Sequence, residues 1–388
     1  MKILIVLSRV PFPLEKGDKL RAYNQIKELS KNNQITLFCL NDSSLEQSSL
    51  DELKKYCVAI HVFPLSKLRI IGNLFRAFFS GLPFQVGYFY SKKAQKSFNE
   101  FVKKHSPDHI FCQLIRTSEY AKNSKIPKTL DYMDVFSKGI ERRIEKDHFY
   151  MRPILKMEYK RLLKYEHDVF AYFDNKIIIS EQDRALIPHP EKDTILVISN
   201  GIDSDYFKPI KKEKEFELLF NGNMNYPPNI ESAEFLVNKI LPIVWSKRPG
   251  VRLLISGTSP SDKVLSLASE RVEVSGWVED VRDNYARSML LVAPMQISIG
   301  LQNKLLEAMA MEIPCITSSM ANNALKAKNG EQIIVADTPE QYAHAILLML
   351  SDNELRNSIA KNGHDYVLST FNWKSSAISL EQLFKKSR

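Results

Sequence analysis

The chain has 388 residues, of which 44% are hydrophobic and 26% charged, and its formal net charge is +9. This composition is ordinary for a soluble globular protein, and the length exceeds one typical domain of roughly 150 residues, which predicts two domains. The charge favours anionic partners such as nucleotides, phosphorylated substrates, phospholipid headgroups or nucleic acid, although an evenly basic surface explains it equally well.

Several classes of protein are disfavoured from the outset. Residues 1–13 contain an apolar core too short for a signal peptide, and Arg76 interrupts the longest apolar candidate for a membrane span, residues 70–90. We therefore expect a cytoplasmic protein. Four cysteines without CxxC spacing indicate buried thiols rather than disulfides or a zinc site: Cys39, Cys57, Cys112 and Cys315.

Strand-like and helical segments alternate through the first half of the chain. Residues 2–10 form an apolar run, a loop at 11–18 contains Gly17, and a helical pattern at 19–29 follows. This alternation predicts a parallel, doubly wound sheet that binds ligands at the carboxyl ends of its strands. Further strands are predicted at 35–40, 58–63, 109–113, 128–131, 176–179 and 195–198, with the longest helix at about 153–173.

A polar, charged segment at 199–215 interrupts the alternation and predicts a linker. It contains Asp203 and Asp205, spaced as in a DxD metal site, but their place in a turn predicts that they cap the turn instead. The second half then repeats the plan of the first. Its strands are predicted at 217–220, 251–256, 271–274, 289–293, 314–317 and 332–335.

The predicted fold is therefore α/β, with two Rossmann-like, doubly wound parallel-sheet domains facing a cleft. Such a cleft suits the joining of two substrates away from water. We predict an N-terminal acceptor-side domain at 1–198 and a linker at 199–215. A second, donor-binding domain follows at 216–365, and a C-terminal helical segment at 366–388 packs back on the first domain.

The segment after the predicted strand at 289–293 is the strongest candidate for a site. It predicts a helix that begins near Gly300 and ends before Pro314, with Lys304 and Glu307 sharing one side. A lysine in the first turn opposes the helix dipole, so a phosphate or diphosphate held by Lys304 and free backbone N–H groups would explain it. Glu307 would then accept hydrogen bonds from the hydroxyls of a ribose or sugar. The alternative is a solvated Lys/Glu pair.

Three stretches resemble the GT-B glycosyltransferases, and most closely the large retaining family 4, or group 1. They cover most of the predicted second domain, whereas the first domain matches mainly in its opening strand, its loop and Gly17. The stretches are Asn200-Gly-Ile-Asp203 with Phe207-Lys-Pro209; residues 220–229 with 240–242, 254–257 and 274–278; and residues 300–310.

The resemblance implies that Glu307 holds the donor ribose, that Lys304 and the backbone after Gly300 hold the diphosphate, and that the turn at 276–278 meets the base. Acceptor binding is expected in the first domain at Gly17, Asp18, Arg21 and Arg116, although Arg116 is as readily explained as a surface arginine. The donor-binding set is Gly222, Asn223, Gly276, Trp277, Val278, Gly300, Leu301, Gln302, Asn303, Lys304 and Glu307.

The chain departs from the family pattern in the second domain. Many members carry two glutamates eight positions apart in the last motif, and the first of them falls on Ile299 here, which limits this residue to backbone or packing contacts. Many also carry an Arg and a Lys after the glycine loop, where this chain has Asn223, Met224 and Asn225. The sequence Gln-Asn-Lys resembles a subgroup in which the lysine of this later motif, here Lys304, supplies the charge.

A histidine that the family often has in the first domain is also missing. The comparable stretch contains Asp134, which we expect to be its substitute, with a helix N-cap as the alternative. The expected catalytic residues are therefore Lys304, Glu307 and Asp134.

The resemblance implies a hexosyltransferase-type enzyme (EC 2.4) that moves a sugar from a UDP or GDP sugar to a glycan or glycolipid hydroxyl with retention, in cell-surface polysaccharide assembly. Because Lys304 would stabilise the leaving diphosphate, no metal or other cofactor is expected, and nucleic acid is not an expected partner. Two alternatives stay open: a nucleotide-sugar epimerase, and a non-catalytic nucleotide-sugar-binding partner in a polysaccharide pathway.

Residues 65–93 mix basic and aromatic side chains and have two interpretations. They form a surface that rests peripherally on anionic lipid and receives a lipid-linked acceptor, or a helix pair with apolar faces in the core of the first domain. The basic residues are Lys67, Arg69, Arg76, Lys92 and Lys93; the aromatic ones are Phe75, Phe78, Phe79, Phe84, Tyr88 and Tyr90.

Overall fold

The computed structural model describes residues 1–14, 16–146, 148–297 and 300–387. The chain divides into two compact units: unit 1 comprises Met1–Asn200 with Trp373–Arg388, and unit 2 comprises Gly201–Asn372. The division falls between Asn200 and Gly201, and residues 366–372 belong to unit 2 rather than to the C-terminal segment.

The strands of the described chain lie close to the predicted ones. They are β1 (Lys2–Leu7), β2 (Gln34–Asn41), β3 (Cys57–Pro64), β4 (His109–Gln113), β5 (Lys128–Asp131), β6 (Asn175–Ile178), β7 (Leu196–Val197), β8 (Phe216–Asn221), β9 (Leu253–Ser256), β10 (Val272–Gly276), β11 (Ser288–Ala293), β12 (Cys315–Thr317) and β13 (Ile334–Val335).

Helices fill the intervals between the strands. The α-helices are α1 (Gly17–Leu29), α2 (Gln47–Leu53), α3 (Lys67–Ser80), α4 (Phe84–Gly87), α5 (Lys92–His105), α6 (Ser118–Ala121), α7 (Phe136–Lys146), α8 (Arg152–Asp168), α9 (Glu181–Leu186), α10 (Pro227–Phe235), α11 (Leu241–Lys247), α12 (Asp262–Leu265), α13 (Val281–Ala286), α14 (Asn303–Ala310), α15 (Ser319–Leu325), α16 (Pro339–Ser351), α17 (Asn353–Thr370) and α18 (Trp373–Lys386). Short 3-10 helices lie at Ile115–Thr117, Phe149–Met151, Val169–Tyr172 and Lys192–Thr194, and a π-helical segment at Leu236–Ile240.

Each unit is built on one parallel sheet. In the described part of the chain, unit 1 has the strand order β3-β2-β1-β4-β5-β6-β7, and unit 2 has the order β10-β9-β8-β11-β12-β13. In both sheets the order reverses beside the first strand, and such a switch point leaves a crevice at the carboxyl ends of the neighbouring strands. The predicted class, two Rossmann-like parallel-sheet units, is confirmed.

The sheet of unit 1 is buried on both faces. Along β1, Leu4 and Val6 pack into one apolar layer, while Ile3, Ile5 and Leu7 pack into the other. The second layer includes residues of α1 and α18, so the last helix returns to the first unit as predicted. Because both faces are covered, the strands read as continuous apolar runs in the sequence.

Some details differ from the sequence-based expectations. The helical segment predicted at 366–388 contains the end of α17 and the whole of α18, because Phe371 and Asn372 leave the helix and pair with Ile202. The four cysteines are buried and free, as predicted. Across the described residues, we find no helix with the length and apolarity required to span a bilayer.

Candidate functional site

Three glycines lie side by side at the carboxyl edge of the unit 2 sheet, after β8, after β9 and at the end of β10. The Gly222 N–H donates to the Ser256 carbonyl (3.0 Å), and the Gly257 N–H donates to the Gly276 carbonyl (3.0 Å). A Cβ on Gly257 would lie 1.6 Å from the Gly222 oxygen. The close approach of these backbones therefore requires glycine at 257 and sets the position of the Gly222 loop.

Lys304, in the first turn of α14, is buried beneath this loop. The residue as a whole is only 7% exposed. The Nζ lies 2.7 Å from Asn229 Oδ1, 3.9 Å from Met295 Sδ and 4.4 Å from the centre of the Phe220 ring. Burial lowers the pKa of Lys304 to about 7, against the opposing effect of the Glu307 charge. The alternative of a solvated Lys/Glu pair is therefore wrong.

These three contacts of Lys304 Nζ are with an amide oxygen, a thioether and an aromatic face, all of them uncharged. A buried cation is costly unless an anion compensates it. The same Nζ would lie 3.2 Å from a Cβ on Gly222, so the amine and the glycine loop are in close proximity. A diphosphate placed against this loop and the start of α14 would supply the missing negative charge.

Glu307, one turn further along α14, is held by a buried tyrosine. The Tyr285 hydroxyl donates to Glu307 Oε2 (2.7 Å), and Asn221 Nδ2 donates to the Tyr285 oxygen (3.0 Å). Burial raises the pKa of Glu307, while the Tyr285 hydrogen bond and the Lys304 charge act in the opposite direction. Since Asn221 precedes Gly222 directly, the end of β8 links the surroundings of Lys304 and Glu307.

The segment that leads into α14 is a loop, not a helix. The helix begins at Asn303 rather than near Gly300, because Gly300 has a φ of 62° and Gln302 is still extended. Gln302 Nε2 donates to the Gly300 carbonyl (3.4 Å), and Leu301 packs on the core of unit 2. Ile299 lies outside the described residues, so its predicted role stays a prediction.

The predicted base-binding turn follows β10. Gly276 has a φ of 68°, in the left-handed region that favours glycine, and the next residue, Trp277, is 68% exposed. Val278 lines an open pocket of about 680 Å³ together with Asp280 and Asn284. Asn223, after the glycine loop, is exposed and accepts hydrogen bonds from Asn225 and Asn229.

Unit 1 brings three of its predicted residues together at the ends of neighbouring strands. Arg116 follows β4, Asp134 follows β5, and Asp18 lies in the first turn of α1, after β1 and next to Gly17. Burial lowers the pKa of Arg116 to about 10, and the charges of Asp18 and Asp134 oppose this shift. Arg116 donates to Gln85 Oε1 (2.8 Å from Nη2), and its guanidinium lies over the Phe136 ring.

Arg21, predicted to bind the acceptor, is instead part of the core of unit 1. Its exposed fraction is 0%, and its Nε donates to Asp131 Oδ2 (2.6 Å). Its other two nitrogens donate to Asn200 Oδ1 and to the Ile198 carbonyl. With all these donors in use, Arg21 stabilises the ends of β5 and β7 and does not face an acceptor.

The structure also identifies residues without a predicted role: Asn229, Phe220, Asn221 and Tyr285. The first three lie within residues 220–229, a stretch that resembles the family, so the sequence could have indicated them. Tyr285 has no such signal, because it reaches Glu307 from a different helix, 22 positions earlier in the chain. Asp203 Oδ1 accepts from the N–H groups of Asp205 and Tyr206, so the predicted turn-capping role is confirmed.

Two Rossmann-like parallel-sheet units are the fold of the GT-B glycosyltransferases. The solved structure of Anabaena Alr3699/HepE in complex with UDP and glucose aligns with a TM-score of 0.70 over 100% of both chains, at 15% identity. That similarity establishes the fold.

Residues 215–352 match the family model described as group 1 glycosyl transferases. The similarity to this family therefore lies within unit 2. An uncharacterized 44.6 kDa protein in the cps region of Klebsiella pneumoniae is 22% identical over 96% of this chain and 97% of that protein. The capsular polysaccharide biosynthesis glycosyltransferase CapM of Staphylococcus aureus is 28% identical over 48% of this chain and 52% of its own.

Proposed function

We propose that the protein transfers a sugar from a nucleoside diphosphate sugar to a hydroxyl of a glycan or glycolipid, with retention, during assembly of a cell-surface polysaccharide. The observation that carries this proposal is a buried lysine with uncharged partners, one helical turn from a carboxylate held by Tyr285. The similarity to CapM and to a protein of a cps region supports the polysaccharide setting.

In this proposal Lys304 and the first N–H groups of α14 bind the diphosphate. As the bond to the anomeric carbon lengthens, negative charge grows on the leaving phosphate, and a preorganised cation stabilises that charge most in the transition state. Glu307 accepts hydrogen bonds from the ribose hydroxyls. No metal is required, since Lys304 supplies the charge. Asp134 is the proposed contact of the transferred sugar, and Asp18 and Arg116 are those of the acceptor.

A thermal-shift panel tests the donor site. UDP, GDP and their sugars are added, with and without EDTA, to the wild type and to Lys304→Ala and Glu307→Ala. A ligand at a hundred times its Kd adds about 2.7 kcal/mol of stability, so one nucleotide family should raise the Tm clearly. We expect that shift to resist EDTA and to vanish in both variants. No shift with any nucleotide, or a shift that EDTA removes, would contradict the proposal.

Tyr285→Phe should weaken donor binding without blocking the chemical step. A hydrogen bond to a charged group contributes about 1.5–3 kcal/mol, so the donor KM should rise about tenfold or more. Because the ribose is held equally before and during the reaction, kcat should change little. The control is Tyr366→Phe, whose hydroxyl donates to the Leu325 carbonyl (2.7 Å). A similar KM change in both variants would show a general structural effect instead.

A further inference from the structure

Helix α3 has an apolar face that points away from the core of unit 1. Asn73 and Ala77 are buried on its inner side. On the opposite side five large apolar side chains are exposed by between 50% and 84%: Leu68, Ile71, Phe75, Phe78 and Phe79. At 100° per residue these five positions fall within an arc of about 100°. We call them the outer face of α3.

The outer face is one continuous apolar surface on a firmly held helix. The Phe79 ring lies 4.9 Å from that of Phe75 and 5.3 Å from that of Phe78, between centroids. Arg161 of α8 donates to the carbonyls of Ala77 and Phe78 at the end of α3. Clustered aromatic side chains of this size are seldom left in water unless they bind a partner.

The charge around α3 selects the partner. Residues 65–99 contain six Lys or Arg and no Asp or Glu. Lys67 and Arg76 are exposed, next to the apolar arc on either side. An apolar helix face bordered by basic side chains is the pattern of a helix that lies in the interface of an anionic bilayer.

We propose that unit 1 docks on an anionic membrane through the outer face of α3, which lies in the plane of the bilayer surface. Each of the two interpretations of residues 65–93 then applies to a part of this segment. Phe75, Phe78 and Phe79 face outward and form the membrane-facing surface, whereas Tyr88 and Tyr90 pack on the core of unit 1.

The docked helix lies next to the proposed acceptor residues. α3 packs directly on α4, where a Cβ on Gly87 would lie 2.4 Å from Ala77 Cβ. On α4, Gln85 accepts hydrogen bonds from Arg116. One short helix thus separates the membrane face from Arg116. This arrangement favours a lipid-linked acceptor, an extension that rests on the proposed sugar transfer, whereas the docking itself does not.

Vesicle flotation of the full chain tests the docking. We expect wild-type protein to float with phosphatidylcholine vesicles that contain about 30% phosphatidylglycerol and not with pure phosphatidylcholine. The double variant Phe75→Ser/Phe79→Ser should lose binding about tenfold or more, and Lys67→Glu/Arg76→Glu should lose it in the same direction. The control Leu265→Ser/Leu348→Ser removes two exposed leucines of unit 2 and should bind like the wild type.

Three further readouts separate the outcomes. The Tm of Phe75→Ser/Phe79→Ser should not fall, because both side chains are exposed, and its nucleotide binding should match the wild type, which tests the donor site independently. Equal flotation of the wild type and this variant would overturn the docking proposal. So would a concentration-dependent dimer that the variant abolishes, without vesicle binding, since a second copy of the chain would then cover the outer face.

Discussion

Lys304→Met is expected to slow sugar transfer strongly and, at the same time, to raise the free energy of unfolding. Methionine has a similar length and no charge, so it fills the space against Phe220 and Met295 without the cost of a buried ammonium group. We expect at least about a 10²-fold loss in kcat, the scale for removing one preorganised group from a developing negative charge. The stability gain should be about 1–3 kcal/mol near pH 7.

The stability difference between the wild type and Lys304→Met should depend on pH. The folded-state pKa of Lys304 is about 7, below the ordinary lysine value of 10.5. Between these values the unfolded chain binds more protons, so this group makes the wild type more stable as the pH rises from 7 towards 10.5. Lys304→Met should lack that contribution, which denaturant unfolding at several pH values will measure. Lys239→Met, at an exposed position in unit 2, is the control; equal behaviour of both variants would contradict the account.

Gly257→Ala should be the most destabilising single substitution in the donor loops. The new methyl group would lie 1.6 Å from the Gly222 oxygen and 2.7 Å from its carbonyl carbon, and the φ of 138° adds strain for any side chain. We expect a loss of about 3 kcal/mol or more in the free energy of unfolding, together with loss of nucleotide binding.

Gly250→Ala is the matched control for that substitution. No described atom outside its chain neighbours lies within 4 Å of a Cβ at Gly250. Its effect should stay within about 1 kcal/mol. Urea unfolding followed by circular dichroism compares the two variants. An unchanged midpoint for Gly257→Ala would show that the Gly222 loop moves freely, and the geometric argument for the site would fail.

The sheets could be predicted from the sequence because buried parallel strands are short apolar runs. The segments around Ile5, Phe111 and Leu254 are runs of this kind. The start of α14 was less visible, since the left-handed Gly300 delays the helix by three residues. Periodicity shows that α3 is helical and apolar, but not that its most aromatic side faces outward.

Side-chain roles that depend on distant partners were not predictable. Arg21 was predicted to bind the acceptor, yet it is buried against Asp131 and Asn200, which lie 110 and 179 positions away. Asn229 lies 75 positions from Lys304. Spacing along the chain carries no signal for such contacts, because the crossing order of the strands creates them. The family resemblance singled out Lys304 and Glu307 as candidate donor-site residues, but not the groups that contact them.

Calorimetric titration with UDP and with uridine, or with GDP and guanosine if the panel selects that base, tests the central claim most directly. The wild type should bind the diphosphate at least about tenfold more tightly than the nucleoside, a difference of about 1.4 kcal/mol. Lys304→Met should bring the ratio close to one. Glu307→Gln should weaken both ligands by a similar factor and preserve the ratio. If Lys304→Met leaves the ratio unchanged, the diphosphate does not bind at Lys304, and the proposed donor site is wrong.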